Sequence, residues 1–115
     1  NMDMVGRLND KKELYMGGAG TFPGGVELMK KLGEGSGLNP IVFAGDVGGS
    51  DHVTFYKNYI SAIGLHTGGH PQYHTPEDDS DLINSEGAVL VCQYICNALT
   101  AIANYEQPLV FIKQN

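Results

Sequence analysis

Apolar and polar positions follow two different periods along this chain, and the changes of period mark its elements. Two short apolar runs, Met2 to Val5 and Glu13 to Met16, read as strands. The polar stretch Gly6 to Lys12 between them carries an Asn9-Asp10 turn signal, so a hairpin is the expected connection. After a loop over Gly17 to Pro23, Val26, Met29 and Leu32 recur at helical spacing within Gly25 to Leu32, and Gly33 is a natural stop. Ile41 to Ala44 is an apolar run between Asn39-Pro40 and Gly45-Asp46, the pattern of a buried strand. Ser50 and Asp51 are suited to cap a helix reaching about Asn58, with Val53, Tyr56 and Phe55 turned inward.

A further strand is predicted over Ile60 to Leu65, followed by a long loop from His66 to Asp81 that lacks an apolar period. Loops of that length inside compact domains are usually functional or mobile. The last element is a helix from Asn84 or Ser85 to about Tyr105. Val91, Ile95, Leu99 and Ile102 form its apolar line, and Gln93, Asn97, Thr100 and Asn104 its wet face. Strands alternating with helices, without internal repeats, predict an α/β layered fold in a single domain over residues 1–115.

Composition narrows the function classes. Seven basic and thirteen acidic residues give a formal charge of −6, so no basic stripe is available to hold nucleic acid. No run of about 18 apolar residues is present, which argues against a membrane span. Cys92 and Cys96 lie one helical turn apart and read as small buried hydrophobes rather than a bridge. The chain starts at Asn1 without a signal-like leader, so it is expected to begin inside something longer.

Three segments carry candidate chemistry. Thr67 to Asp78 places His70, Tyr73, His74 and acidic residues on a loop directly after a predicted strand, where open α/β sheets put their ligand sites. A solvated polar loop explains the same composition. Gly48 to His52 brings Ser50, Asp51 and His52 to a predicted helix start, a setting for an anionic ligand or for a simple cap. Asp3 interrupts an apolar strand, where a carboxylate needs a metal or a charge partner such as Arg7.

Taken in order, the segments from Asn1 to Arg7, from Gly48 to Tyr56 and from Thr67 to Asn84 resemble the M28 family of co-catalytic zinc aminopeptidases. The resemblance runs from Asn1 to about Tyr105. It implies part of a three-layer αβα fold with a mostly parallel mixed sheet, of which this chain would be the C-terminal half. It also implies two zinc ions, one held by Asp3 and the other by His74, with a peptide as substrate. Tyr73 is similar in position to a tyrosine that donates to the tetrahedral oxyanion in some relatives. Asp51, Asp78 and Ser50 are implied as outer groups that orient the ligands, while His52, His66 and His70 would be structural or line the cleft.

The sequence also departs from that pattern. The family's His-x-Asp pair and its Glu-Glu pair, which includes the general base, do not occur in this chain. Alone it is therefore expected to be inactive and to bind zinc weakly. Cutting a central sheet leaves an unpaired edge, so a dimer, a strand swap or a frayed N-terminus is expected. A single-zinc enzyme like glutaminyl cyclase and a non-catalytic interaction domain of the same fold are the rival readings. Export to the periplasm or outside the cell is the expected localisation.

Overall fold

A computed structural model describes residues 1–115. Its central strand is β1 (Glu13–Gly17), with β2 (Asn39–Val42) on one side and β3 (Gly64–His66) on the other. β1 runs parallel to β2, with Tyr15 opposite Ile41, and antiparallel to β3, with Tyr15 opposite His66. The α/β architecture read from the sequence is therefore present, with a mixed sheet. Pro40 lies in β2, an edge position where its missing N–H leaves no central ladder bond unmade.

Both sides of β1 are taken, so the hairpin expected between residues 2–5 and β1 does not form. The amino-terminal residues lie instead along the outer edge of β3, in a parallel bridge of Met2 with Leu65. The Leu65 N–H donates to the Asn1 carbonyl at 2.9 Å, Asp3 N–H to the Leu65 carbonyl at 3.1 Å, and Thr67 N–H to the Met4 carbonyl at 2.9 Å. This end is laddered rather than frayed. β2 begins two residues before the predicted run, and β3 is confined to the last part of Ile60 to Leu65 plus His66.

Three helices complete the fold: α1 (Gly25–Leu32), α2 (His52–Lys57) and α3 (Ser85–Ala103). Asn84 caps α3 as expected: its Oδ1 accepts from Gly87 N–H at 3.0 Å and its Nδ2 donates to the Leu8 carbonyl at 3.0 Å. Ser50 and Asp51 make no side-chain cap on α2. The Ser50 hydroxyl is used elsewhere.

Alternation along β1 sends Leu14 and Met16 to one face, where Met29 of α1 and Val91, Tyr94, Ile95 and Ala98 of α3 cover them. Tyr94, absent from the predicted apolar line, is the largest fully buried side chain. Its hydroxyl donates to the Met29 carbonyl at 2.6 Å, and burial pushes the phenol pKa up. The buried arc at positions 91, 94, 95 and 98 turns Leu99 outward, at 63% exposure, and also leaves Cys92 and Cys96 exposed. The two cysteines are thus surface thiols. Phe55 likewise points outward, at 54% exposure.

With nineteen residues, α3 is long and apolar enough to cross a bilayer, so the sequence-based exclusion of a span does not hold by length and composition alone. Its inner face packs on the sheet, while Gln93, Asn97 and Thr100 lie on the exposed side. That is the amphipathic layout of a core helix. Beyond α3 the chain turns back, and Ile112 N–H donates to the Thr21 carbonyl at 2.9 Å while Phe111 packs against Tyr56.

Replacing Tyr94 by Phe leaves the Met29 carbonyl without its buried donor. Urea unfolding of Tyr94→Phe should show a loss of about 1–3 kcal/mol; unchanged stability would mean that this bond contributes nothing.

Candidate functional site

The ladder between the amino end and β3 brings three stretches of chain together: residues 1–4, the turn that leads into α2, and the loop that follows β3. They enclose a cleft of about 340 Å³. Asn1, Asp3, Asp46, Ser50 and His52 line it from the first two stretches, His66 from the end of β3, and His70 and Tyr73 from the loop.

Asp3 is exposed, and its Oδ2 accepts from the Ser50 hydroxyl at 2.6 Å. Ser50 in turn accepts from Asn1 Nδ2 at 3.0 Å. Arg7 is not the partner of Asp3. Its Nη2 donates to Asp78 Oδ1 at 2.7 Å and its Nη1 to Gln72 Oε1 at 3.2 Å, so the guanidinium ties both ends of the 72–78 segment to the amino-terminal residues. Thr67 adds a second tie, with its hydroxyl donating to the Met4 carbonyl at 2.9 Å and accepting from Arg7 N–H at 3.2 Å.

Within the loop, Tyr73 is half-exposed, and its ring stacks on that of His74 with centroids 3.8 Å apart. His74 holds a left-handed backbone, φ 55°, and its exposed imidazole makes no hydrogen bond within the chain. Non-glycine residues rarely adopt that conformation without a local reason. Tyr73 shares the cleft with Asp3, whereas His74 is not among the residues that line it. Asp51 borders a neighbouring apolar groove instead, beside Phe55 and Leu99. No three His, Cys, Asp or Glu side chains are grouped to hold one ion.

His52, at the start of α2, is only 5% exposed, and its ring fills the space that a Cβ on Gly64 would need. Glycine at 64 is therefore required by close approach. Burial lowers the His52 pKa below the ordinary histidine value, helped by the positive amino terminus and opposed by Asp46, Asp3 and Asp51. Burial thus favours the neutral imidazole, whose Nδ1 lies 3.4 Å from Asn1 Nδ2. Ser50, suited to cap α2 and implied by the resemblance as an outer group, bonds Asp3 across 47 residues, a contact that no local pattern signals.

The profile described as Peptidase family M28 matches residues 1–99. The fold is similar to the crystal structure of BSAP, a zinc aminopeptidase from Bacillus subtilis, with a TM-score of 0.68 and 26% sequence identity. The match covers 100% of this chain and 30% of that one, so the chain spans less than a third of its solved relative. No curated protein matches the sequence.

The native state binds fewer protons at His52 than the unfolded chain does, so stability should be full above the unfolded pKa of about 6.5 and fall as pH drops below it. Urea unfolding at pH 7.5 and 5.5 should show this loss, and His52→Gln should reduce it. An equal pH dependence in the variant would contradict the assignment.

Proposed function

The chain belongs to peptidase family M28, and from that premise we propose that the protein carrying it is a zinc-dependent aminopeptidase that removes N-terminal residues from peptides. The observation that carries this reading is the meeting of Asp3, oriented by Ser50, with Tyr73 in one cleft beside β3. The aminopeptidase BSAP, a zinc enzyme of similar fold, supports it.

Donor chemistry fits zinc residue by residue. A carboxylate oxygen from Asp3 and an imidazole nitrogen from His74 are ordinary zinc ligands. The set within this chain is incomplete, since zinc sites use three or four protein ligands and no such group occurs here. On this reading Asp3 and His74 each serve one of two ions, and the remaining ligands and the general base come from residues outside this sequence. Bound zinc supplies Lewis acidity at the scissile carbonyl and activates water for attack.

This chain's own side chains then have separate tasks. Ser50 donates to one carboxylate oxygen of Asp3 and thereby fixes which oxygen is free to ligate. Arg7 and Asp78 hold the loop that carries Tyr73 and His74. The Tyr73 hydroxyl, free of any protein hydrogen bond, is available to donate to the oxyanion of the tetrahedral intermediate. The isolated chain, without a base, should not hydrolyse peptides.

An aminoacyl 4-nitroanilide assay on the complete protein tests the reading. Activity should vanish with a chelator and return with zinc. Tyr73→Phe should lower kcat by about 10²-fold or more, and Ser50→Ala should weaken zinc affinity by about 10- to 100-fold. Full activity in chelator would refute a zinc peptidase, and turnover only of N-terminal glutamine to its cyclic form would favour the cyclase alternative.

A further inference from the structure

The outer face of α3 carries a pair of thiols that the cleft does not use. Cys92 and Cys96 are both free and both exposed. They stand four residues apart in one uninterrupted helix, a spacing that stacks two side chains on the same face with Cβ atoms about 5–6 Å apart. Both line one hollow of about 450 Å³ between α3 and the turn that follows α1, where Ser36, Gln93 and Asn97 supply hydroxyl and amide groups. None of the residues lining it is charged.

Two chemistries join thiols so placed. A disulfide needs Cβ atoms about 3.5–4.5 Å apart, closer than one turn of helix holds them, so oxidation of the pair to each other requires α3 to unwind. A single bridging ion suits the wider gap, because bonds of about 2.3 Å to sulfur, the zinc–thiolate length, span sulfurs up to about 4.6 Å apart. Thiolates are soft ligands that select Cu(I) and zinc over hard cations. Structural zinc takes four ligands, and no third His, Cys, Asp or Glu is grouped with the pair. Cu(I) is satisfied by two thiolates in a linear S–Cu–S arrangement, and a wall without carboxylates offers nothing to a hard cation. We propose that Cys92 and Cys96 form a binding site for a single Cu(I) ion on the outer face of α3. On binding, the two S–H bonds break, both protons pass to water, two S–Cu bonds form and copper stays in the +1 state. The site does not depend on the aminopeptidase reading.

The experiment sets the complete protein, reduced and kept anaerobic, against bicinchoninate as a coloured competitor for Cu(I), and reads how much copper each variant removes from the chelate. Wild type should remove one equivalent more than Cys92→Ser, Cys96→Ser or the two combined. Cys96→Ser together with Asn97→Cys keeps two thiols but turns one off the shared face, and it should lose the same equivalent. The changed positions are exposed, so the variants should unfold in urea at the wild-type midpoint. Equal copper uptake by wild type and the double serine variant would overturn the proposal, as would uptake undiminished when one thiol is moved to position 97. The second readout is X-ray absorption at the copper edge of the loaded wild type, which does not depend on any variant folding. It should show two sulfur neighbours and no others; three or four would overturn the single-helix site in favour of thiols shared between copies.

Discussion

Residues 1–4 lie in parallel along β3, and the cleft exists because of that pairing. Three backbone bonds, from Asp3 and Thr67 N–H to carbonyls across the ladder and from Leu65 back to Asn1, fix the height of Asp3 relative to the end of β3. A carboxylate in that register stands beside the turn before α2, where Ser50 can reach it, and beside the loop that leaves β3. Register in a sheet is unforgiving: a slip by one residue would turn Asp3 to the opposite face. The ladder in turn depends on the core, since β3 is held against β1, and Leu14 and Met16 of β1 are buried under α1 and α3.

The loop after β3 is tied down by charge rather than by apolar burial. Nearly all its residues between Pro71 and Asp81 are exposed, so hydrophobic contacts do little to order it. Arg7 supplies the order instead, with one donor to Gln72 and one to Asp78. Thr67 fastens the start of the loop to Met4 and Arg7. The same amino-terminal segment therefore carries a proposed zinc ligand and anchors the loop that carries the other. A peptide held between them would meet Asp3 and Tyr73 in one continuous surface.

Much of this was legible in the sequence where a local rule applied. The helix over residues 85–103, its Asn84 cap and the helix over 25–32 all follow from periodicity and cap chemistry. The pairing of strands was not legible: residues 2–5 and 13–16 look like a hairpin by proximity, and only the occupied edges of β1 exclude it. The inward turn of Tyr94 was missed because a tyrosine interrupts an aliphatic line, although its hydroxyl finds the Met29 carbonyl. Residue type alone places Cys92 and Cys96 in the core, but the arc set by Val91, Ile95 and Ala98 leaves them in solvent. For the site, residue types and order brought Asp3, Tyr73 and His74 forward. Distances decided what composition could not, giving Ser50 to Asp3 and Arg7 to Asp78.

The central claim is that Asp3, in the cleft, and His74, on the loop that also carries the cleft-lining Tyr73, serve two neighbouring zinc ions. Crystals of the complete protein, with anomalous diffraction collected at the zinc edge, measure this directly. The account predicts two anomalous peaks, one about 2.0–2.2 Å from a carboxylate oxygen of Asp3 and the other about 2.0–2.1 Å from a ring nitrogen of His74. Zinc bound elsewhere, with either side chain left out of its coordination, would contradict it.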